Sequence, residues 1–232
     1  MKKILSLIVL TLLFSSCQED VKFNTPGFQG LKDDVFWRAT DARAYLAANG
    51  TLTIKGYTPS EELDLMTNYP SVGTYLLGTT NPFNKAIYTY EDLDLYYETT
   101  AVAGPVFGLT VINSGTGYSS GSSIATTGGS GSGLTVSTTV NSSGQVTKVL
   151  VNSGGNGYLS GDTITVTGGD LNCRIRVVNG GEIKITEYDD INGTVSGTFK
   201  FNAMNVNNNP AGGEILNYQY GTFYKVPIYP EL

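Results

Sequence analysis

The chain has 232 residues, of which 20 are Asp or Glu and 14 are Lys or Arg, and it contains no histidine. This acidic balance argues against nucleic acid as a partner, because nucleic acid requires a basic face. The absence of histidine excludes catalytic triads and general bases built on imidazole, and nearly every zinc or copper site. We therefore expect no metal, no other cofactor and no enzymatic activity.

The N-terminus has the pattern of an export signal. Lys2 and Lys3 precede an apolar stretch from Ile4 to Phe14, which is too short to cross a bilayer, since a spanning helix needs about 20 residues. The following stretch, FSSC at 14–17, resembles the lipobox of bacterial lipoproteins, in which the cysteine becomes the first mature residue and carries lipid. We predict a signal peptide over residues 1–16 and lipidation at Cys17; the alternative is an N-terminal core helix.

Residues 17–26 are predicted to be a lipidated tether. Gln18, Glu19 and Asp20 resemble the short acidic signal that sends Bacteroidota lipoproteins to the outer face of the outer membrane, and the alternative is a solvated linker. The resemblance implies an outer-membrane location, lipid-anchored and facing the cell exterior. If Cys17 is lipidated, Cys173 has no intramolecular partner for a disulfide, and we expect it to be a small strand residue.

Two outer segments, residues 27–100 and 181–232, are predicted to form the main domain, an antiparallel β-sandwich or barrel-like fold. Apolar and polar residues alternate along them with the period of a strand that has one buried face. In the run GTVSGTFKFNA, for example, Val195, Phe199 and Phe201 share one face. The strand-like runs are 51–56, 73–78, 86–90, 181–190 and 193–203. Two runs with helical propensity, 41–48 and 60–66, also alternate, and we predict strands for both.

The segment 101–180 is predicted to be an inserted, glycine-rich β-repeat module of two units of about 40 residues. GTGYSSGSSIATTGG from Gly115 recurs as GNGYLSGDTITVTGG from Gly155, which aligns Tyr118 with Tyr158. The pattern resembles the glycine-tyrosine-glycine β repeats of phage tail and bacterial surface proteins, which are usually structural or adhesive. A disordered linker is the alternative, but such a linker has no reason to keep β-branched residues in alternation.

Three further features are candidate sites. Tyr118 and Tyr158 are candidate binding residues, because tyrosine offers a large rigid surface with a polar tip to a sugar ring; the alternative is that they pack in a core. Asp162 to Ile164 resembles an O-glycosylation motif with Thr163 as acceptor, although an ordinary strand threonine is the alternative. Acidic stretches at 91–98 and 187–190 offer carboxylates for hydrolysis or calcium binding in principle, or are solvated strand ends.

Several motifs together carry a family resemblance. The motifs, in chain order, are TPGFQGLKDDVFWRA, NGTLTIKG, GTYLLG, GEIKITEYDDINGTVSGTFKFNA and GTFYKVPI. They resemble a family of small Bacteroidota lipoproteins known as a domain of unknown function, over about residues 26–97 and 181–229. The resemblance implies a lipoprotein with an antiparallel β domain, into which this chain inserts the repeat module. It implies no catalytic residue.

Three functions from different classes follow. The leading expectation is a surface-exposed outer-membrane lipoprotein that acts by protein-protein contact, as an accessory subunit of an outer-membrane complex or as an adhesive module. The alternative is a glycan-binding module that supports polysaccharide capture, and the least favoured is a carboxylate-dependent hydrolase. The expected partners are outer-membrane lipid through N-terminal acylation and an outer-membrane protein or surface complex, with a glycan as a further possibility and no nucleic acid.

Overall fold

A computed structural model describes residues 25–231, so the predicted signal peptide and Cys17 lie outside the described residues. Within 25–231 the chain forms strands and one short 3-10 turn, Glu91–Leu93, and it has no α-helix. In this part of the chain no helix has the length and apolar character that a membrane crossing needs. The all-β prediction is therefore confirmed.

The strands of the described chain are numbered in sequence order. They are β1 (Gly27–Lys32), β2 (Val35–Arg38), β3 (Asp41–Leu46), β4 (Leu52–Tyr57), β5 (Glu61–Thr67), β6 (Gly73–Leu76), β7 (Lys85–Tyr90), β8 (Leu95–Glu98), β9 (Leu109–Asn113), β10 (Gly121–Gly128), β11 (Ser132–Val140), β12 (Val146–Asn156), β13 (Thr163–Val166), β14 (Arg174–Val177), β15 (Gly181–Asp189), β16 (Thr194–Asn205) and β17 (Ile215–Pro230). The runs at 41–48 and 60–66 are strands, as predicted, because their alternation outweighs their helical propensity.

The larger sheet has the order β2-β1-β17-β3-β4-β5-β7-β8-β16-β15-β6, and an additional pairing of β16 with β17 closes part of it into a ring. The ring consists of β17, β3, β4, β5, β7, β8 and β16, and β1 with β2 and β15 with β6 extend it on either side. The larger sheet therefore has two layers, β2-β1-β17-β16-β15-β6 and β3-β4-β5-β7-β8, joined at two corners. One corner is a short β8–β16 pairing and the other is a parallel pairing of β17 with β3. The predicted sandwich or barrel-like fold is confirmed, and β3–β17 is the parallel exception among the described pairings.

Aromatic side chains fill the space between the two layers. Phe28 packs at 5.3 Å from Phe199 and 6.3 Å from Phe223, measured between ring centroids. Each of these rings is at most 3% exposed, and full burial of such a side chain contributes about 1.5–3 kcal/mol. Gly56 on the opposite layer leaves room for Phe28, since a Cβ at this position would lie 2.8 Å from the ring.

The smaller sheet has the order β12-β11-β10-β13-β14-β9, and its strands all lie within residues 109–177. The first repeat contributes β9, β10 and β11, and the second contributes β12, β13 and β14. The middle strands of the two repeats pair with each other, with Thr126 opposite Val166. The first strand of each repeat pairs with the last strand of the other. The two repeats are therefore interleaved and related by an approximate two-fold axis.

Hydrogen bonds follow the same two-fold relation at the edges of the smaller sheet. The backbone N–H of Val106 donates to Gly154 O at 2.9 Å, and the equivalent N–H of Val146 donates to Ser114 O at 3.1 Å. These bonds tie the segments around β9 and β12 to each other. The sheet therefore curls into a half-barrel around its own small core.

Side-chain hydrogen bonds connect the module that holds the smaller sheet to the rest of the chain. Ser160 Oγ donates to Leu77 O at 2.9 Å, and Asn202 Nδ2 donates to Asn179 O at 3.3 Å. The chain leaves the larger sheet for the module after Glu98, which pairs with Met204 of β16. It returns to the larger sheet at Gly181. Both crossings lie near the same end of β16.

Candidate binding surface

The two repeat tyrosines lie in the core of the smaller sheet. Tyr118 is 6% exposed and Tyr158 is 2% exposed. The Tyr118 hydroxyl donates to Val166 O at 3.2 Å and accepts from the backbone N–H of Cys173 at 3.1 Å. Because both rings are covered, they offer no open face to a sugar, and the packing alternative describes them.

The glycosylation candidate Thr163 is an exposed residue at the start of β13, opposite Arg176. Its neighbour Asp162 is used structurally, because its Oδ2 accepts from the hydroxyl of Ser130 at 2.6 Å and from two backbone N–H groups. Burial alone would raise the pKa of Asp162, but these hydrogen bonds outweigh it and lower the pKa. Thr163 therefore stays a candidate acceptor on an accessible strand.

The acidic stretches lie at turns and strand ends. Asp189 accepts two backbone N–H groups and the side-chain amide of Asn192, which close the turn after β15. Glu98 pairs with Lys85 at 3.2 Å. Among the described residues no group of three or more acidic or cysteine side chains is placed to hold a metal ion.

Glu61 is the centre of a polar network between the layers of the larger sheet. Its carboxylate accepts from Tyr88 Oη at 2.6 Å and from Trp37 Nε1 at 2.6 Å, and it forms an ion pair with Lys32. Burial alone would raise the pKa of Glu61, but the three donors outweigh it and lower the pKa. The charge of the Glu61 carboxylate is therefore stabilised by the protein's own donors.

A second network lies on the same strand, β5. Lys55 Nζ bridges Glu62 Oε1 at 2.6 Å and Asp64 Oδ2 at 2.7 Å. The other oxygen of Asp64, Oδ1, is buried and has no hydrogen-bond partner among the described groups. Burial raises the pKa of Asp64 to about 6 against the opposing effect of Lys55.

An open groove lies on the outer face of β15, β16 and β17. It has a cavity volume of about 530 Å³, which is within the range of about 300–1,000 Å³ for small-molecule sites. It is formed by a bulge in β17, where Gln219 and Tyr220 together face the single residue Lys200 on β16. Tyr220 adopts a left-handed backbone conformation with φ of 51° and is 83% exposed.

The groove floor is polar. Lys200 Nζ and Glu182 Oε1 are 3.4 Å apart across β15 and β16. The other polar side chains of the lining are those of Thr198, Gln219, Tyr220 and Thr222. Their polar atoms make no hydrogen bond to another described group, so they are open to solvent or to a ligand.

A separate apolar depression lies where the chain passes between the two sheets. It has a volume of about 230 Å³, and its lining includes Val102, Phe107, Met204 and Ile215. Phe107 is 74% exposed, and Val102 and Ile215 are each 54% exposed. Contiguous exposed apolar surface of this kind is typical of interaction sites.

Comparison with known families adds one finding to this geometry. A family model for a domain of unknown function (DUF6252) matches residues 24–149 and 118–227 of the chain. The chain belongs to the DUF6252 family. The two matched segments of this DUF6252 protein overlap at 118–149, inside the repeat module. No curated protein and no solved structure matches the chain.

Sequence reasoning missed the groove, although a signal for it exists. Buried residues of β17 fall at even positions up to Tyr218, at odd positions for Gly221 and Phe223, and at even positions again from Val226. Each change between even and odd buried positions requires one extra residue in the strand. Tyr220 and Lys225, which both have a left-handed backbone conformation, lie at the two places where this happens.

Proposed function

We propose that the chain is a lipid-anchored protein of the outer-membrane exterior that acts by contact with another protein, as an accessory subunit of an outer-membrane complex or as an adhesive module. The observation that carries this proposal is the exposed apolar depression around Val102, Phe107 and Ile215. A soluble protein loses solubility by exposing such a surface, and a partner that covers it regains the free energy of apolar burial.

The strand register supports an anchored arrangement. Gly27, the first residue of β1, pairs with Tyr224, so β1 begins on the side of β17 that leads to Pro230. The module leaves at the opposite end, where Met204 pairs with Ile215. Lipid attached at Cys17 would therefore hold one end of the long strands, with the module and the apolar depression at the other.

Co-purification from detergent-solubilised membranes tests the contact. We expect the full-length chain to recover a stoichiometric membrane protein, and we expect the double variant Val102→Ser, Ile215→Ser to lose it. Leu150→Ser is the matched control, because Leu150 is also 54% exposed but lies on β12, outside the depression.

The outcomes separate the parts of the proposal. Equal recovery by the double variant would reject the depression as the contact surface, and no stoichiometric partner with the unchanged chain would reject the contact function. Mass spectrometry of the native N-terminal peptide tests the anchor, since an unmodified Cys17 thiol would reject it.

A further inference from the structure

We propose that the groove beside Tyr220 is a binding site for a neutral oligosaccharide. The proposed contact function uses the apolar depression, whereas this site lies on the outer face of β15, β16 and β17. The inference depends on the shape of the groove, on its unpaired polar groups and on its charge.

Tyr220 stands exposed at the rim of the groove. The bulge places this residue outside the regular alternation of β17, so its ring stands 83% exposed at the rim instead of packing in the core. A left-handed conformation at a residue other than glycine carries strain, and strained residues cluster at ligand sites. A rigid ring with a polar tip suits the apolar face and the hydroxyl edge of a sugar.

The lining of the groove contains side chains with unpaired hydrogen-bonding groups. The amide of Gln219 and the hydroxyls of Thr198 and Thr222 make no hydrogen bond to another described group, as noted above. Amide and hydroxyl groups both donate and accept hydrogen bonds, as sugar hydroxyls do. A ligand rich in hydroxyl groups can therefore pair with each of them.

The lining of the groove has no excess of either charge. The charged residues of the lining are Lys200 and Glu182, which form a pair of opposite sign. A sulfated, phosphorylated or strongly acidic ligand would need an excess of cationic groups. The balanced pair favours a neutral ligand and still offers one donor and one acceptor to it.

The groove continues along β16. Lys200 and Gln219 also line a second depression of about 230 Å³ that continues along β16 to Asn202 and to the exposed ring of Phe107. This arrangement fits a chain of several sugar units better than a single one. Phe107 also lines the apolar depression, so the oligosaccharide site and the proposed contact surface meet at this residue.

The test uses the full-length chain on an immobilised panel of linear oligosaccharides of glucose, mannose, galactose and xylose, with acidic and sulfated glycans alongside. We expect binding to at least one neutral oligosaccharide, followed by calorimetric titration with that compound. Tyr220→Ala should weaken binding about ten-fold or more, as truncation of a central aromatic contact does. Gln219→Ala should also weaken it.

Tyr69→Ala is the matched control, because Tyr69 is 63% exposed but lies between β5 and β6, outside the groove. It should bind like the unchanged chain, and thermal unfolding should show that all variants are folded. No binding to any neutral oligosaccharide, binding only to acidic glycans, or equal affinity of the Tyr220→Ala variant would overturn the proposal. Loss of the protein partner in the Val102→Ser, Ile215→Ser variant bears on the contact function alone.

Discussion

At the scale of single residues, two acids on β5 have opposite properties because their partners differ. Glu61 accepts from Lys32, Trp37 and Tyr88, and its pKa is lowered. Asp64 has one oxygen without a partner, and burial raises its pKa to about 6. The stability from Glu61 is present above its ordinary pKa and is lost as the pH falls, whereas the stability from Asp64 is present at low pH.

The raised pKa of Asp64 predicts a pH dependence with a definite sign. The protonated acid is favoured in the folded protein, so its contribution to the free energy of unfolding is full below the ordinary value of 3.8 and is lost as the pH rises through about 6. Asp64→Asn fixes the neutral form. We expect the unchanged chain to lose about 2–3 kcal/mol relative to this variant between pH 4 and pH 7.

Urea unfolding at a series of pH values measures this difference. Asp92→Asn, a change at an exposed acid in the 3-10 turn, should follow the unchanged chain at every pH. Curves for Asp64→Asn and the unchanged chain that stay parallel from pH 4 to pH 7 would contradict the account.

Neither network was predictable from the sequence. The notable acids in the sequence were those at 91–98 and 187–190, where several stand close together, but most of these lie at turns and strand ends. Glu61 and Asp64 acquire their properties from Lys32 on β1 and Lys55 on β4. Local spacing carries no information about which side chains such pairings bring together.

At the scale of elements, the two repeats pack reciprocally. A Cβ added to Gly169 of the second repeat would lie 2.5 Å from the ring of Tyr118, and one added to Gly129 of the first repeat would lie 3.2 Å from the ring of Tyr158. Both glycines have positive φ, so each supplies a turn that a larger residue would strain. Each glycine turn thus covers the tyrosine of the other repeat.

The hydroxyl groups break this symmetry, and the difference provides a matched pair of variants. Tyr118→Phe leaves the N–H of buried Cys173 without its acceptor, and we expect a loss of about 1–2 kcal/mol in the free energy of unfolding. The Tyr158 hydroxyl makes no hydrogen bond to another described group, so Tyr158→Phe should cost less than about 0.5 kcal/mol. Urea unfolding measures both, and equal losses would refute the assigned hydrogen bonds.

The alternation of apolar and polar residues predicted where the strands lie. It did not predict how the strands pair or, in every strand, which residues are buried. In β12, Val146 is buried, yet Leu150 is 54% exposed, because the extra residue Thr147 forms a bulge opposite β11 and reverses the alternation. The sequence also did not predict that strands of one repeat pair with strands of the other, because both repeats have the same strand pattern. The groove depends on the bulge at Tyr220, which the structure shows as a change of parity in the buried residues of β17.

At the scale of the whole molecule, the glycine-rich segment of the sequence and the strands of the smaller sheet occupy the same part of the chain. The larger sheet takes its strands from 27–98 and 181–230, and the smaller one from 109–177. The long strands β16 and β17 separate the N-terminal entry, near Gly27, from the connections to the smaller sheet, near Met204. The corner pairings that close the ring join residues far apart in the chain, which no local pattern specifies.

The central claim is a protein anchored through Cys17 that presents the module to the cell exterior, and cysteine labelling on intact cells tests it most directly. Cys173 is fully buried, so Ser142→Cys in the exposed turn between β11 and β12 introduces an accessible thiol. We predict that a membrane-impermeant maleimide labels this variant on intact cells as fully as after lysis, and leaves the unchanged chain unlabelled. Labelling of the variant only after lysis would contradict the account.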